Sequence, residues 1–156
     1  MDALAIARVF HVLGVVIWIG GVGMVTTVIL PAQHPSADQR IRVFEAIESR
    51  FAWVARLMTL LVGFSGLYMT WKLNLWDRFL ELSYWWMHAM VCVWALFTFV
   101  LFLAEPLFLH RGFAERARID PEAAFRLAQR LHWILLIASL VTVAGAVAGA
   151  HGYVLF

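Results

Sequence analysis

The sequence is poor in the residues that crosslink a chain or make it soluble. Cys92 is the one cysteine among 156 residues, so no disulfide within the chain and no two-cysteine metal motif can form. Charged side chains make up 14% of the sequence and hydrophobic ones 63%, whereas soluble domains average about 25% charged and about 45–50% apolar. These deficits exclude an ordinary soluble domain and indicate an integral membrane protein.

Basic residues are too dispersed for a nucleic-acid surface. The formal net charge is +2, and no compact basic patch with interleaved aromatic side chains occurs in the sequence. We therefore expect a lipid bilayer and no nucleic acid as the surroundings of this chain. The sequence leaves open whether the chain forms a homo-oligomer.

Prolines are also scarce, and all four lie at or beyond the edges of long apolar stretches. The stretches cover about residues 4–30, 51–71, 82–104 and 131–153, and each has the roughly 20 residues that a helix needs to cross a bilayer. The first is longer than the ~7–15-residue core of a signal peptide, so we expect it to be a retained helix. Pro31 and Pro35 are expected to end the first helix and Pro106 the third. Asp120-Pro121-Glu122 is typical of the start of a short amphipathic helix before the fourth.

Short connections between such helices predict neighbours that run antiparallel. The expected fold is all-α: one domain, residues 1–156, forming an integral membrane four-helix antiparallel bundle. Nine of the twelve Lys and Arg residues lie in or beside the first and third connections. The positive-inside rule then places these connections in the cytoplasm and both termini in the periplasm, across a bacterial inner membrane. Six tryptophans lie near the ends of the stretches, as in an interfacial aromatic belt: Trp53, Trp71, Trp76, Trp85, Trp86 and Trp133.

Two histidines lie at matched depth in the first and third stretches. His11 lies five residues after Ile6 and His88 four residues after Tyr84, which at a rise of about 1.5 Å per residue puts both roughly 6–8 Å below the outer surface. An imidazole inside a membrane is costly unless something binds it, and two at one depth favour a shared ligand. We expect them to ligate a haem iron. Because the single cysteine rules out covalent attachment through a CxxCH motif, this haem would be haem b.

Neighbouring residues suit a flat, acidic macrocycle. Gly14 lies one turn after His11 and leaves room for a ring, although a glycine there equally serves close helix packing. Arg8 lies one turn outward on the same face and would neutralise a haem propionate. His151 comes to the outer end as an alternative ligand. His132 lies at the inner end, where it would serve a second haem, a proton path or a quinone site, but it has no matched partner, so one haem is the expected number.

Other polar residues have simpler interpretations. Arg56 is expected to reach the inner headgroups or to hold an anionic group, and Glu105 is its expected ion-pair partner. Gly145 and Gly149 form a small-xxx-small packing motif. His34 and His110 are expected in solvated loops.

Two known families share short motifs with this chain. FHVLGVVIWIGGVGMVTTVILPA, residues 10–32, resembles the first helix of the copper-resistance protein D family. The matching marks are His11, Trp18, the Gly20-Gly21 pair and Pro31.

The order of elements is also similar to that of the HemJ-type four-helix protoporphyrinogen oxidases. Their entry to the second helix and their W-x-H-x-K start of the third are matched by Phe44, Glu45, Glu48, Arg50, Trp86 and His88. The resemblance implies haem b bound by His11 and His88. The chain departs from the pattern at Met90, which occupies the lysine position, and at Arg130-Leu131-His132-Trp133, which does not match the start of the HemJ-type fourth helix.

Together these features predict a membrane b-type cytochrome that transfers electrons between the quinone pool and a periplasmic partner. A haem-dependent oxidoreductase of the HemJ type, a protoporphyrinogen oxidase, remains an alternative, with no catalytic residue assigned. A copper-handling membrane protein is another, since Met87, His88 and Met90 form the one cluster suggestive of copper. The fourth alternative is a membrane scaffold without redox activity.

Overall fold

The structure, a computed structural model, describes residues 2–32 and 36–153. These residues form five α-helices and no β-strand. The helices are α1 (Ala3–Met24), α2 (Ala37–Lys72), α3 (Trp85–Phe99), α4 (His110–Ile119) and α5 (Pro121–Ala150). π-Helical segments extend α1 over Val25–Ile29 and join α3 to α4 over Val100–Leu109, and two 3-10 turns, Trp76–Leu80 and Leu82–Tyr84, lead into α3. His34 and Pro35 lie outside the described residues.

Among the described residues, four helical stretches are long and apolar enough to cross a membrane, as the sequence predicts. They are Ala3–Ile29, Gln39–Lys72, Leu82–Leu107 and Pro121–Ala150. Large apolar side chains on all four face outward; Phe64, for example, is 70% exposed and Val16 61%. Soluble monomers rarely present so much contiguous apolar surface to water. The chain is therefore a bundle of helices suited to a lipid bilayer, and a multi-pass membrane protein.

The second helix begins earlier than its apolar stretch. α2 starts at Ala37, where the Ser36 hydroxyl accepts a hydrogen bond from the backbone N–H of Gln39 at 3.3 Å. A serine in this position satisfies one of the free N–H groups at a helix start. Arg40, Arg42 and Arg50 consequently lie on a helix and not in a loop.

Pro106 does not end the third helix, contrary to the expectation from sequence. The backbone stays helical through Val100–Leu109 and continues directly into α4, so that His110 begins a helix instead of lying in a loop. In a π-helix the carbonyl of Leu101 would accept from residue 106, but a proline has no N–H to give. Arg56 Nε donates to that carbonyl instead, at 2.9 Å. The helix tolerates the proline because a neighbouring span supplies the missing donor.

The end of the first span has the same arrangement. Leu30 N–H donates to the carbonyl of Val25 at 2.9 Å, a π-type bond. The next bond in that pattern would join Pro31 to the carbonyl of Thr26, and Pro31 has no N–H. The Gln129 side-chain amide of α5 donates to this carbonyl at 2.7 Å, which links the first span to the last.

The start of α5 confirms one expectation and changes another. Asp120 Oδ1 accepts from the backbone N–H of Ala123 at 2.9 Å, and Pro121 occupies the first turn, as the sequence predicts. No break follows, however. The expected short amphipathic helix is the first part of one 30-residue helix.

The central core draws on all four spanning helices. Trp18, Val62, Phe97 and Leu136 are buried there, one from each span, and the rings of Trp18 and Phe97 meet edge to face with centroids 4.8 Å apart. A second buried cluster of Val25, Leu30, Phe44 and Phe125 closes the end of the bundle near the α1–α2 connection. We refer to this as the inner end, and to the opposite one, with His11 and His88, as the outer end.

Glycines set the closest helix contacts. A Cβ on Gly14 would lie 2.8 Å from Cγ2 of Val62, so α1 and α2 approach closely there. Gly145 and Gly149 of α5 receive the rings of Trp85 and Trp86, which confirms the predicted packing role of this motif. Trp86 is 6% exposed and therefore belongs to the helix interface, whereas Trp53, 67% exposed, faces outward as expected for an aromatic belt.

Candidate functional site at the outer end of the bundle

His11 is held by α2 in a defined orientation. Its Nδ1 lies 3.1 Å from the carbonyl oxygen of Val62 and 3.1 Å from the hydroxyl oxygen of Ser65. A carbonyl oxygen can only accept, so we assign the ring proton to Nδ1. Ser65 donates its own hydroxyl proton to the carbonyl of Leu61 at 2.6 Å and can therefore accept from His11. Nε2 is left with a lone pair and no hydrogen-bond partner among the described residues.

This is the arrangement that proteins use for imidazole ligands. A ligand histidine usually donates one ring N–H to a carbonyl, which fixes the tautomer and the ring orientation, and offers the other nitrogen to the metal. Gly66 makes room for the ring, because a Cβ there would lie 3.2 Å from Cε1 of His11. The geometry of His11 therefore fits an axial ligand.

His88 is arranged differently. Its Nε2 lies 3.0 Å from the carbonyl oxygen of Phe79, in the 3-10 turn, and its Nδ1 lies 3.2 Å from the carbonyl oxygen of Tyr84. The Phe79 ring packs against the imidazole edge to face, with centroids 5.7 Å apart. A neutral imidazole has one N–H, so only one of these contacts is a hydrogen bond. In either tautomer Nε2 faces the carbonyl and is not free to bind iron.

The two histidines thus contact different parts of the chain. His11 packs on α2, and His88 packs on the turn before α3. No hydrogen bond or ring contact joins them within residues 2–32 and 36–153. The donor set fits a haem iron at His11 and does not fit it at His88 in this arrangement, because the carbonyl of Phe79 occupies the position where the metal would bind.

The residues expected to line the haem have other surroundings. The side chain of Val62 fills the space beside Gly14, so this glycine serves helix packing. Arg8 is exposed, and none of the described acidic side chains pairs with it.

His132 and His151 share a simpler pattern. The Nδ1 of each contacts the carbonyl four residues earlier, Ala128 at 2.9 Å and Val147 at 2.8 Å. His132 is partly buried and His151 is exposed. Neither Nε2 has a partner in the described part of the chain. His132 lies within α5 and His151 directly follows its last residue, so about five helical turns separate them and they cannot share one ligand.

Two groups that matter for the site were missed from the sequence. The Ser65 hydroxyl helps to orient His11. Ser65 lies one turn after Val62, and its role could have been found only by predicting the register of α1 against α2. The Phe79 carbonyl fixes His88, and a backbone carbonyl in a connecting turn has no sequence signature.

The inner end holds an ion pair that the sequence predicts. Arg56 pairs with Glu105, and both side chains are about four-fifths buried, with exposures of 19% and 22%. Arg56 also contacts the Leu101 carbonyl, and its guanidinium lies 5.4 Å from the ring of Trp53. A cavity of about 220 Å³ opens beside the pair, with Glu45 among its lining residues.

Metal ligands are not clustered elsewhere. Within the described ranges, no three His, Cys, Asp or Glu side chains lie close enough together to hold a metal ion. Met87 is 7% exposed and packs in the helix interface, so a copper site would have to be assembled from His88 and Met90 with a donor from outside this set.

Comparison with known proteins adds no relative. The chain matches no protein-family profile, no curated protein and no solved structure. The resemblance to the copper-resistance protein D and HemJ-type families therefore stays a prediction from short motifs.

Proposed function

We propose that the chain is a membrane b-type cytochrome in which His11 would hold the iron of haem b through Nε2. The observation that carries the proposal is the free Nε2 of His11, on a ring whose Nδ1 is anchored to Val62 and Ser65. An imidazole nitrogen without a partner is costly inside a membrane, which favours a ligand at Nε2.

The proposed topology is an antiparallel four-helix bundle with both termini in the periplasm of a bacterial inner membrane. Contacts between α1 and α2 pair His11 with Ser65 and Gly14 with Val62, which supports opposite directions for these two helices. The excess of arginines at the inner end supports the orientation. His11 and His88 then lie near the periplasmic surface.

His88 would complete a bis-imidazole site only by turning away from Phe79. The contact to be released is a single one, Nε2 with a backbone carbonyl at 3.0 Å. The turn that supplies the carbonyl is short and carries exposed side chains, Leu80 at 85% and Leu82 at 82%. Segments with few buried contacts open most readily, so we expect His88 to become a ligand through a shift of this turn.

Haem, when bound, would supply a one-electron couple, and the residues of this chain would position it. Val62 and Ser65 hold the His11 ring. Arg8, exposed one turn outward on α1, is available to a propionate. A site at this depth would exchange electrons with membrane quinol and with a partner at the periplasmic surface.

Two observations favour a different function. The paired carbonyl contacts of His88 and the valine that fills the space above Gly14 are what a structural histidine and a packing glycine would show. A membrane scaffold without redox activity is therefore the second candidate. Copper handling and porphyrinogen oxidation remain as alternatives from the family resemblance.

The test is the absorption spectrum of the purified chain, produced with ample haem, and of three variants. The proposal predicts a Soret band and a sharp α band on reduction for the wild type, loss of both in His11→Ala, and a weakened, high-spin spectrum in His88→Ala. His132→Ala, which removes a partly buried histidine at the opposite end of the bundle whose Nδ1 also contacts a backbone carbonyl, is the matched control and should retain the wild-type spectrum.

Each alternative gives a different result. Bound copper at one equivalent without a Soret band would support copper handling. Restored porphyrinogen oxidation in a strain lacking that activity would support the HemJ-type enzyme. A colourless wild-type chain that folds and binds no metal would overturn the proposal and leave the scaffold.

A further inference from the structure

We propose that the inner end of the bundle carries a binding site for the phosphate headgroup of an anionic lipid, independent of any haem. The site is a cavity of about 680 Å³ between the end of the first span and the start of α5. Arg40, Arg126 and Arg130 line it, and among the described side chains of the lining Glu122 is the one acidic residue. These four side chains together carry two net positive charges.

Arg40 is the best-positioned cation. Its side chain is 21% exposed and lies over the face of the Phe125 ring, 4.0 Å from the centroid. One terminal nitrogen donates to the carbonyl of Leu30 at 2.8 Å, while Nε is buried without a hydrogen-bond partner among the described residues. A guanidinium held in one orientation is suited to a phosphate oxygen, which its terminal nitrogens would contact because Nε is closed to solvent.

Intramolecular pairing neutralises this cluster only weakly. Glu122 lies 3.5 Å from Arg40 and 3.9 Å from Arg126, and its side chain is 71% exposed. Exposed pairs at such distances contribute little, since water and salt screen them. Arg126 and Arg130 follow Glu122 at intervals of four residues, so all three lie along one face of α5 toward the cavity.

The remaining lining favours a lipid over a small free anion. Pro31 and Trp133, both exposed, add apolar surface to the lining, and an indole suits the boundary between headgroups and acyl chains. The cavity also joins the end of the first span, where acyl chains would begin. Positive charge beside an apolar wall at this level matches an anionic lipid whose phosphate contacts the arginines.

The test measures thermal unfolding of the full chain in a neutral detergent during titration with short-chain phosphatidylglycerol, short-chain phosphatidylcholine or inorganic phosphate. A ligand that binds only the folded state raises the unfolding temperature with a midpoint set by its affinity. We expect phosphatidylglycerol to act at a lower concentration than phosphatidylcholine, and inorganic phosphate to act far more weakly than either lipid.

A pair of variants tests the assignment of residues. Removing both exposed arginines in Arg126→Gln/Arg130→Gln should raise the phosphatidylglycerol midpoint roughly tenfold or more. The matched control, Arg42→Gln/Arg116→Gln, removes two exposed cations that do not line the cavity and should leave the midpoint within about twofold. The single variant Arg126→Gln serves if the double variant does not fold, and should show an intermediate shift.

Three results would overturn the inference. Equal midpoints for the two double variants would remove the cavity arginines from the interaction. Equal midpoints for phosphatidylglycerol and phosphatidylcholine would show that the site does not distinguish headgroup charge. Inorganic phosphate acting as strongly as phosphatidylglycerol would identify a free-anion site and contradict the lipid assignment. None of these results depends on haem, so they test the lipid site independently of the proposed cytochrome function.

Discussion

The ion pair between Arg56 and Glu105 offers a quantitative test of how the inner half of the bundle is held together. Arg56 bridges two spans: it donates to the Leu101 carbonyl at 2.9 Å and pairs with Glu105. With exposures of 19% and 22% the two side chains are mostly removed from solvent, so the loss of either partner leaves a poorly solvated charge.

The expected magnitudes differ between the partners. Breaking a fully buried pair costs about 3–5 kcal/mol, and one-fifth exposure reduces this to about 2–4 kcal/mol. Glu105→Gln should therefore destabilise the chain by about 2 kcal/mol, since the amide can still accept from Arg56. Arg56→Met also leaves the Leu101 carbonyl without a donor, at about 1–3 kcal/mol more, and should cost about 3–7 kcal/mol in all.

The double variant separates the pair from the carbonyl contact. In Arg56→Met/Glu105→Gln no buried charge remains, so the main remaining cost is the Leu101 carbonyl without its donor, about 1–3 kcal/mol, which is less than the cost of Arg56→Met alone. The summed effects of the two single variants should therefore exceed the effect of the double variant by at least about 2 kcal/mol. The measurement is reversible unfolding in mixed micelles with increasing denaturing detergent. Arg42→Met, at an exposed position of the same helix, should change stability by no more than about 0.5 kcal/mol. Single variants whose effects add within about 0.5 kcal/mol would refute the reasoning.

Two further predictions concern packing and backbone satisfaction. Gly145→Ala should destabilise the chain by about 1–3 kcal/mol because a Cβ there meets the ring of Trp85. Gly20→Ala, where nothing lies within 4 Å, should be neutral or stabilise by up to about 1 kcal/mol through helix propensity. Equal effects of the two variants in thermal unfolding would contradict this account of α3–α5 packing. Gln129→Ala should destabilise the chain by about 1–3 kcal/mol by leaving the Thr26 carbonyl without a donor. In a Pro31→Ala background, which restores a backbone N–H, the same variant should destabilise less. An equal loss of stability in both backgrounds would show that the proline is not the reason for the contact.

Apolar length and charge at the spans predict a large part of this fold. The four stretches appear as helices because each is long and apolar enough to cross a bilayer. The Asp120 cap follows from local chemistry, since an aspartate before a proline satisfies free N–H groups at a helix start. The Arg56–Glu105 pair was predictable because two opposite charges at one depth in an apolar medium have few other partners.

The failures have a common physical origin. The sequence indicates that Pro106 should stop a helix, because a proline lacks an N–H and clashes with the preceding turn. The helix continues because π-helical geometry and a guanidinium from another span accommodate the proline, and tertiary contacts of this kind leave no local pattern. α2 extends into a charged segment for a similar reason. Phe44 packs against Phe125 at the inner end, and this contact stabilises the polar first turns of the helix.

The candidate haem site was predictable only in its depth. Matched spacing brings His11 and His88 to the outer end, but the rotation of each helix decides what the rings contact. His11 meets α2 with Nε2 free, and His88 meets the Phe79 carbonyl. Rotational register depends on packing of side chains over the whole interface, which the periodicity of nearly uniform apolar stretches does not encode.

The most direct measurement for the proposed cytochrome is the haem content of the wild-type chain, purified after expression with ample haem and determined as the pyridine haemochrome against protein mass. The proposal predicts one haem b per chain. A well-folded preparation with no haem, or with an amount far below one per chain that added haemin does not raise, would contradict it.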